Sequence, residues 1–513
     1  MELSVEKEYV GISAIYQFLG NGVQMASGSI FYIAAARIFN TSDMGSIALF
    51  IAIIGLFSIV FSVGLNTAAT HFISSNLASA HYSVRTILLR ILSLGIGISI
   101  LGFTVVFGLS SEISFLFFHS SSETNMIKLL AIVLVGNILF SILNGAVIGF
   151  QRFKASAIIS VTIWVMYYFG ALAFAFFDRS LYTIIFGWII GMAAGILVDM
   201  AYLFLITLKG RREMEKRRMG SRSIFIYSLP IVLSSLISYG ASYTDRFVVA
   251  YLMDTSSLGI YNFALLIFSG ISFIAIPFNN ITLPKFSAFF GRGDRDAIRG
   301  GVESSTLLLS FIYIPSALGI ASLSSSILYF IAGSNYVSAS YALMIVMIIP
   351  AFVISANILT QAISAVRRTK FFLYSSILSL IANVIISFIL IPPFGLVGAA
   401  LGFSSVSLST FVILYYIAKR ENLVKYNLVG IGKIWVSSVI MFLALFLISN
   451  YLNSIYGYSL LILVLLILLG AGIFVIMGKY MRIFSEDEKA FIRSLFPERM
   501  KRIKMLIEKL ILH

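Results

Sequence analysis

Apolar residues along the chain come in long blocks, not in alternation. Fourteen such runs cover residues 11–36, 46–70, 86–109, 127–149, 156–177, 181–207, 225–252, 258–284, 303–323, 341–364, 371–391, 396–418, 433–450 and 457–477. A helix needs about 20 mostly apolar residues to cross a bilayer. A transmembrane β-strand would show about 10 residues of alternating polarity, and LLILVLLILLGAGIFVIMG at 460–478 does not alternate. The pattern predicts an all-α polytopic membrane protein of about 14 transmembrane helices.

Composition agrees. Of 513 residues, 59% are hydrophobic and 11% charged, against about 25% charged in an ordinary soluble domain. Mean hydropathy is +1.01. These figures exclude a soluble globule, a disordered chain and a disulfide scaffold. With no cysteine, thiolate catalysis and Cys-ligated metal are excluded too. The start, MELSVEKE, is acidic and lacks the basic n-region of a secretory signal, so the first span is expected to stay in the mature protein.

The net charge of +15 would suggest nucleic acid if its carriers were clustered at random. They are not. Thirty-two of the 36 Lys and Arg fall in alternate connections and the tail, and the other side keeps only Arg37, Lys128, Arg179 and Arg246. The positive-inside rule makes the rich side cytoplasmic. Both termini are then cytoplasmic, which requires an even number of spans, as found, and no nucleic-acid partner is needed.

The chain also repeats. RIFNTSDMGSIALF (37–50) follows span one and YLMDTSSLGIYNFA (251–264) follows span seven, with Thr41 on Thr255 and Gly45 on Gly259 at an offset of 214. The same offset carries His71-Phe72 onto Lys285-Phe286. Arg152-Phe-Lys154 lies near Arg368-Thr-Lys370 at an offset of 216. The expected organisation is two pseudo-symmetric six-helix lobes, 1–208 and 224–420, joined by a basic cytoplasmic linker at 209–223. Spans thirteen and fourteen follow within 421–478. A tail at 479–513 has Met500, Ile503, Ile507, Leu510 and Ile511 at helical spacing, which reads either as a helix on the inner membrane surface or as a solvated tail.

Chemistry-bearing motifs are missing. No P-loop sequence occurs, and the four His (His71, His81, His119 and His513) have no metal-ligand spacing. The acidic groups Asp294-x-Asp296 and Glu486-Asp-Glu488 sit among basic residues. No cofactor, no metal and no enzymatic activity are expected.

Several stretches resemble a family: ARIFNTSDMG (36–45), FSVGLNTAATHFIS (61–74), NGAVIGFQRFKASA (144–157), Tyr243-Thr244-Asp245-Arg246, LGIYNFA (258–264), LPKFS (283–287) and PPFGLVGAALG (392–402). In order and spacing they are similar to the polysaccharide-biosynthesis flippases of the multidrug/oligosaccharidyl-lipid/polysaccharide exporter superfamily, across spans one to twelve. His71 departs from the pattern, which usually has Arg there. The resemblance implies a flippase that moves a lipid-linked oligosaccharide or polysaccharide precursor across the cytoplasmic membrane by alternating access. The sugar would pass between the lobes while the polyprenyl tail stays in lipid. Membrane lipids and glycan-assembly enzymes are the other implied partners.

Polar residues inside spans are costly in lipid and usually face the bundle or a water-filled cavity. Gln17, Asn21 and Gln24 stand at i, i+4 and i+7 in span one. Ser235, Ser238, Ser242 and Asp245 form a stripe in span seven, and Asn66, Thr67, Thr70, Asn279 and Asn280 add to spans two and eight. The resemblance implies a cavity among these four helices. Neutral amides and hydroxyls suit sugar hydroxyls; the competing account is that they join helix to helix. A diphosphate needs cations, for which Arg37, Arg246, Arg90, His71 and Lys285 are candidates, with snorkelling to the inner interface the favoured account of Arg90 and Lys285. Asp245 is expected either to reach Arg37 as a gate or to pair within its own lobe. Asp199, inside span six, reads as an ion site or a structural partner.

Two rival readings stay open. A cation-coupled antiporter of the same superfamily would depend on a buried carboxylate such as Asp199. A membrane enzyme acting on lipid-linked glycans would need clustered catalytic groups and a large outer loop. The orientation is directly testable, because cysteines can be introduced into a chain that has none. Ser334→Cys should react with an impermeant thiol reagent added outside intact cells. Ser221→Cys should not, and labelling there would overturn the orientation.

Overall fold

The computed structural model describes residues 2–79, 84–208 and 220–482. The linker up to residue 219 and the tail from 483 onward lie outside the described residues, as do the expectations placed on them. Nineteen α-helices succeed one another in the described chain. The first eight are α1 (Glu2–Ile38), α2 (Thr41–Ser62), α3 (Leu65–Ser79), α4 (Val84–Gly108), α5 (Ser110–Phe118), α6 (Thr124–Gly149), α7 (Phe153–Phe177) and α8 (Leu181–Leu208). Next come α9 (Ser221–Leu252), α10 (Thr255–Ser272), α11 (Ala275–Gly291), α12 (Arg295–Ser322), α13 (Ser324–Ile331), α14 (Ser340–Phe352) and α15 (Ala356–Ala365). The last are α16 (Lys370–Phe394), α17 (Leu396–Arg420), α18 (Leu428–Tyr456) and α19 (Leu460–Met481). Among the described residues, 13 helical segments are long and apolar enough to cross a membrane. With α1, which carries the run 11–36, they account for the fourteen runs. The protein is a multi-pass membrane protein.

Helices form because a backbone in lipid must satisfy every N–H and C=O within its own segment. Three spans nevertheless break. Span two divides into α2 and α3 at Val63 and Gly64, whose φ angles are +46° and +64°. Span eight divides into α10 and α11, and span ten into α14 and α15 just after Pro350. The freed groups are recaptured by tight turns: Ile274 N donates to Ile271 O at 3.0 Å, and Val353 N to Pro350 O at 3.1 Å.

The repeat is visible in local detail. Asn40 caps α2 by accepting from Asp43 N at 2.8 Å, and Asp254 accepts from Ser257 N at 2.6 Å at the start of α10. Asp254 and Ser257 lie 214 residues beyond Asn40 and Asp43. The short helices α5 and α13, in connections that hydropathy leaves as loops, begin at Ser110 and Ser324, again 214 apart.

The chain divides into two compact units, the first ending at Gly259 and the second starting at Ile260. Within the first, α2 crosses the start of α10 at two glycines. A Cβ on Gly45 would land on Thr255 O, and one on Gly259 would land on Thr41 O. Hydroxyl pairs flank the crossing: Thr41 with Ser256 at 2.7 Å and Ser42 with Thr255 at 2.8 Å. Only glycine permits so close an approach.

A second glycine device locks α8 onto α7. Gly187, Gly191 and Gly195 repeat every four residues, and Cβ atoms there would meet Ala171, Tyr167 and Ile163. At Gly191 the gap to Tyr167 Cα would be 2.6 Å. Gly191→Leu should therefore destabilise the fold by about 1–3 kcal/mol or more through overpacking, read as a lower thermal midpoint in detergent. Gly97→Ala, with nothing within 4 Å of the new methyl, should leave the midpoint unchanged or raise it. Equal behaviour of the two variants would contradict the close packing.

Candidate functional site

The break in span two shapes a polar cavity inside the first unit. Past Gly64 the chain turns into α3, which is tied to α6 by Thr70 Oγ1 donating to Gly145 O at 2.8 Å. The resulting space, about 190 Å³, is lined by Ser58, Ser62, Asn66, Thr67, Asn137, Ser141 and Ser235 together with apolar neighbours. Asn66 Oδ1 accepts from Thr67 N at 2.8 Å, and Asn137 Nδ2 donates to Val133 O at 3.1 Å. Ser58 Oγ is buried with no partner among the described residues. Pockets for whole ligands usually measure about 300–1,000 Å³, so this one has room for a single hydroxylated group.

The second unit has a counterpart where spans eight and ten break. Its volume is about 280 Å³, and Ser272, Tyr313, Asn357, Thr360, Ser407 and Thr410 supply the polar lining. Ser272 lies 214 residues beyond Ser58. The second unit also holds an apolar groove of about 480 Å³ along α12, α18 and α19, lined by Phe311, Pro315, Gly319, Met441, Leu445 and Phe474 among others.

The residues of span one separate in their surroundings. Gln17 Nε2 donates to Ser156 Oγ at 3.4 Å; Ser156 Oγ donates to Asn144 Oδ1 at 3.0 Å, and Asn144 Nδ2 to Ser160 Oγ at 3.2 Å. Gly20 faces Ala157 and Gly28 faces Tyr168. That side of α1 therefore lies on α7. Asn21 is exposed and Gln24 half-buried.

On α9, Ser235 lines the cavity while Ser238 and Ser242 are exposed. Asp245 is fully buried. Arg246 folds back, its Nη1 donating to Ser242 O at 2.8 Å and its guanidinium lying 4.3 Å over the Tyr243 ring. The two neighbours have distinct environments, as a helical step of about 100° requires. Tyr243 stacks on Tyr239 at 4.2 Å, and Tyr239 OH donates to Ala52 O at 2.7 Å across the gap left by Gly55. Arg37 is exposed in the last turn of α1. His71 is exposed and stacked on Tyr227 at 4.5 Å. In the second unit, Asn280 on α11 is exposed, and Asn279 has a buried Oδ1 with no partner among the described residues.

The polar stripes of the sequence omit the contribution of span four. Asn137, Ser141 and Asn144 stand there at i, i+4 and i+7, the same spacing as the stripe of span one, so the signal was present. The serines before the break, Ser58 and Ser62, carried none.

Comparison with known proteins adds to this geometry. A family model described as polysaccharide biosynthesis protein matches residues 34–341. The chain belongs to that family. Among curated relatives, the probable low-salt glycan biosynthesis flippase Agl15 of Haloferax volcanii is 25% identical over 431 residues, covering 83% of this chain and 86% of the relative. The capsular polysaccharide biosynthesis protein CapF of Staphylococcus aureus is 27% identical over 210 residues, 39% of this chain and 50% of its own. Among solved structures, the lipid II flippase MurJ in an inward closed conformation superposes with a TM-score of 0.70 at 16% identity, covering 91% of this chain and 98% of that one. An inward-facing multidrug resistance MATE family transporter of the MOP superfamily gives 0.65 at 13% identity, over 78% and 95%. The fold of this family member is that of these transporters.

The different settings of Gln17 and Asn21 separate their expected phenotypes. Gln17→Ala removes a helix-joining hydrogen bond and should lower thermal stability, whereas Asn21→Ala should leave it unchanged. Equal thermal midpoints for wild type and Gln17→Ala would contradict a joining role for that contact.

Proposed function

We propose that the protein is a flippase that carries a lipid-linked oligosaccharide or polysaccharide precursor across the cytoplasmic membrane by alternating access, and that it is not an enzyme. The observation that carries this reading is family membership together with similarity to the Agl15 flippase over most of both chains. The physical features agree with it. Broken spans supply neutral hydroxyls and amides, which match sugar hydroxyls in donating and accepting. The polyprenyl tail would stay against lipid and apolar helix surface.

In this reading both termini and the 209–223 linker are cytoplasmic, and the lobes are 1–208 and 224–420. Asn21, Gln24, Asn66, Asn279 and Asn280 meet sugar hydroxyls, and Gln17 joins them once α1 leaves α7. Arg37, His71 and Arg246 are the cations for the diphosphate. Asp245 facing Arg37 forms a gate, and outward opening must also part the glycine crossing of α2 and α10. The substrate and membrane lipids are the partners, with glycan-assembly enzymes acting before and after.

Depletion of the protein in its own cells is the test. A lipid-linked oligosaccharide should build up on the inner leaflet while glycan outside declines. Normal export with no such accumulation would defeat the reading, as would purified protein that extends or ligates glycans unaided.

A further inference from the structure

The glycine ladder of α8 ends on a carboxylate. Gly187, Gly191 and Gly195 are followed, four residues on, by Asp199. The residue is fully buried, and neither Oδ1 nor Oδ2 has a hydrogen-bond partner among the described residues. The ladder sets its position. Gly187 meets Ala171, Gly191 meets Tyr167 and Gly195 meets Ile163, so the next step places Asp199 level with Ile159. Ser156 lies one turn from Ile159, on the face of α7 that meets α8. The register with α6 agrees, since Gly136 meets Met192 and a parallel advance brings 143–144 to the level of Asp199. Both neighbours therefore present the same group at this depth: the hydrogen-bonded set Ser156, Asn144 and Ser160, with Gln17 of α1 attached.

A bare carboxylate without a donor or counter-ion is strongly disfavoured at such a position. On α6 and α7, the helices packed against α8, no cation stands at this level. On α6 the only basic residue is Lys128, at the opposite end. On α7, Lys154 lies more than a turn further along, with its Nζ 5.9 Å over the Tyr16 ring, and the titratable neighbours Tyr167 and Tyr168 are two or more turns away in the other direction. The tyrosines on α8 itself, Tyr182 and Tyr202, are phenols. A sodium ion would need several oxygen ligands in contact with it, whereas the oxygens of Ser156, Ser160 and Asn144 are engaged in their own hydrogen-bonded set and none bonds to Asp199. A proton needs only one carboxylate oxygen.

We propose that Asp199 is a proton-binding site, and that release of its proton frees α1 from α7. In this conformation the carboxyl is neutral. When the site opens to water on the other side, the O–H bond breaks, the proton passes to water, and the carboxylate is left needing donors. The helix register offers Ser156, Ser160 and Asn144, which are engaged with one another and with Gln17. Turning them to Asp199 breaks the Gln17–Ser156 contact that fastens α1. Uptake of a proton from water on the first side restores it. Proton binding stands on the geometry alone; its use to drive transport rests on the flippase reading.

Infrared spectroscopy of purified protein in lipid vesicles at neutral pH tests the site without substrate. The wild type should show the carbonyl band of an undissociated carboxylic acid, Asp199→Asn should lose it, and Asp199→Glu should keep it at a shifted position. Identical spectra for wild type and Asp199→Asn would overturn the proposal, and so would a band that Asp199→Glu leaves in place. Asn matches the neutral acid in shape, so the folded state of that variant is expected to survive. The coupling is tested in the same vesicles with a fluorescent polyprenyl diphosphate carrying N-acetylglucosamine. An imposed pH gradient should change the wild-type flipping rate and leave that of Asp199→Asn unchanged. A gradient response retained by Asp199→Asn would overturn the coupling. Absence of flipping in every preparation would count against the flippase reading, while the infrared result still decides the proton site.

Discussion

Everything in this fold depends on the need to satisfy each backbone polar group without water. Long helices meet that need by themselves, which is why apolar runs become helices. A break in a helix meets it only where other protein covers the gap. The break at Val63 and Gly64 is sheltered by α6 and α9: Thr70 holds Gly145 O, and Gly64 sits against Ser228. Polar side chains gather at the same place for the same reason. The breaks in the second unit at 273–274 and 353–355 repeat the solution with Ser272, Asn357 and Thr360. A transporter built this way concentrates its hydrogen-bonding capacity at helix breaks, which are also the places where a helix can bend.

Glycines supply the other half of the design. Between helices in lipid there is little hydrophobic drive, so association depends on close van der Waals contact. The ladder on α8 fixes that helix to α7 over three turns and brings a carboxylate inside as its fourth rung. The crossing of α2 and the start of α10 uses two glycines and four hydroxyls, a dense contact made of small groups. Ladder and crossing differ in build: the first is a run of three glycines along one helix pair, while the second is a single close approach flanked by hydroxyl pairs.

The spans and the repeat were legible in the sequence because both depend on one-dimensional pattern. Run length marks a span, and the 214-residue offset of Thr41-Gly45 and Thr255-Gly259 marks the repeat. The breaks were not legible. Val63 is apolar and β-branched, and nothing in FSVGLN announces a left-handed residue except the neighbouring Gly64. Helices α5 and α13 were hidden because they are too short to give a span signal. Candidate residues were legible as polar positions but not as partners. The stripe Gln17, Asn21, Gln24 looks uniform until packing places Gln17 on Ser156 and leaves Asn21 exposed. Asp199 was visible as a carboxylate in an apolar run, whereas its lack of any donor is a property of the packed unit.

One measurement bears on the whole account. Purified protein is placed in vesicles that hold a polyprenyl-diphosphate-linked oligosaccharide in both leaflets, and a membrane-impermeant glycosidase is added outside. With the protein present, the inner pool should become accessible and cleavage should pass from about half of the substrate to nearly all of it. Cleavage that stops at the outer half, in vesicles where the protein is folded and present, would contradict the account.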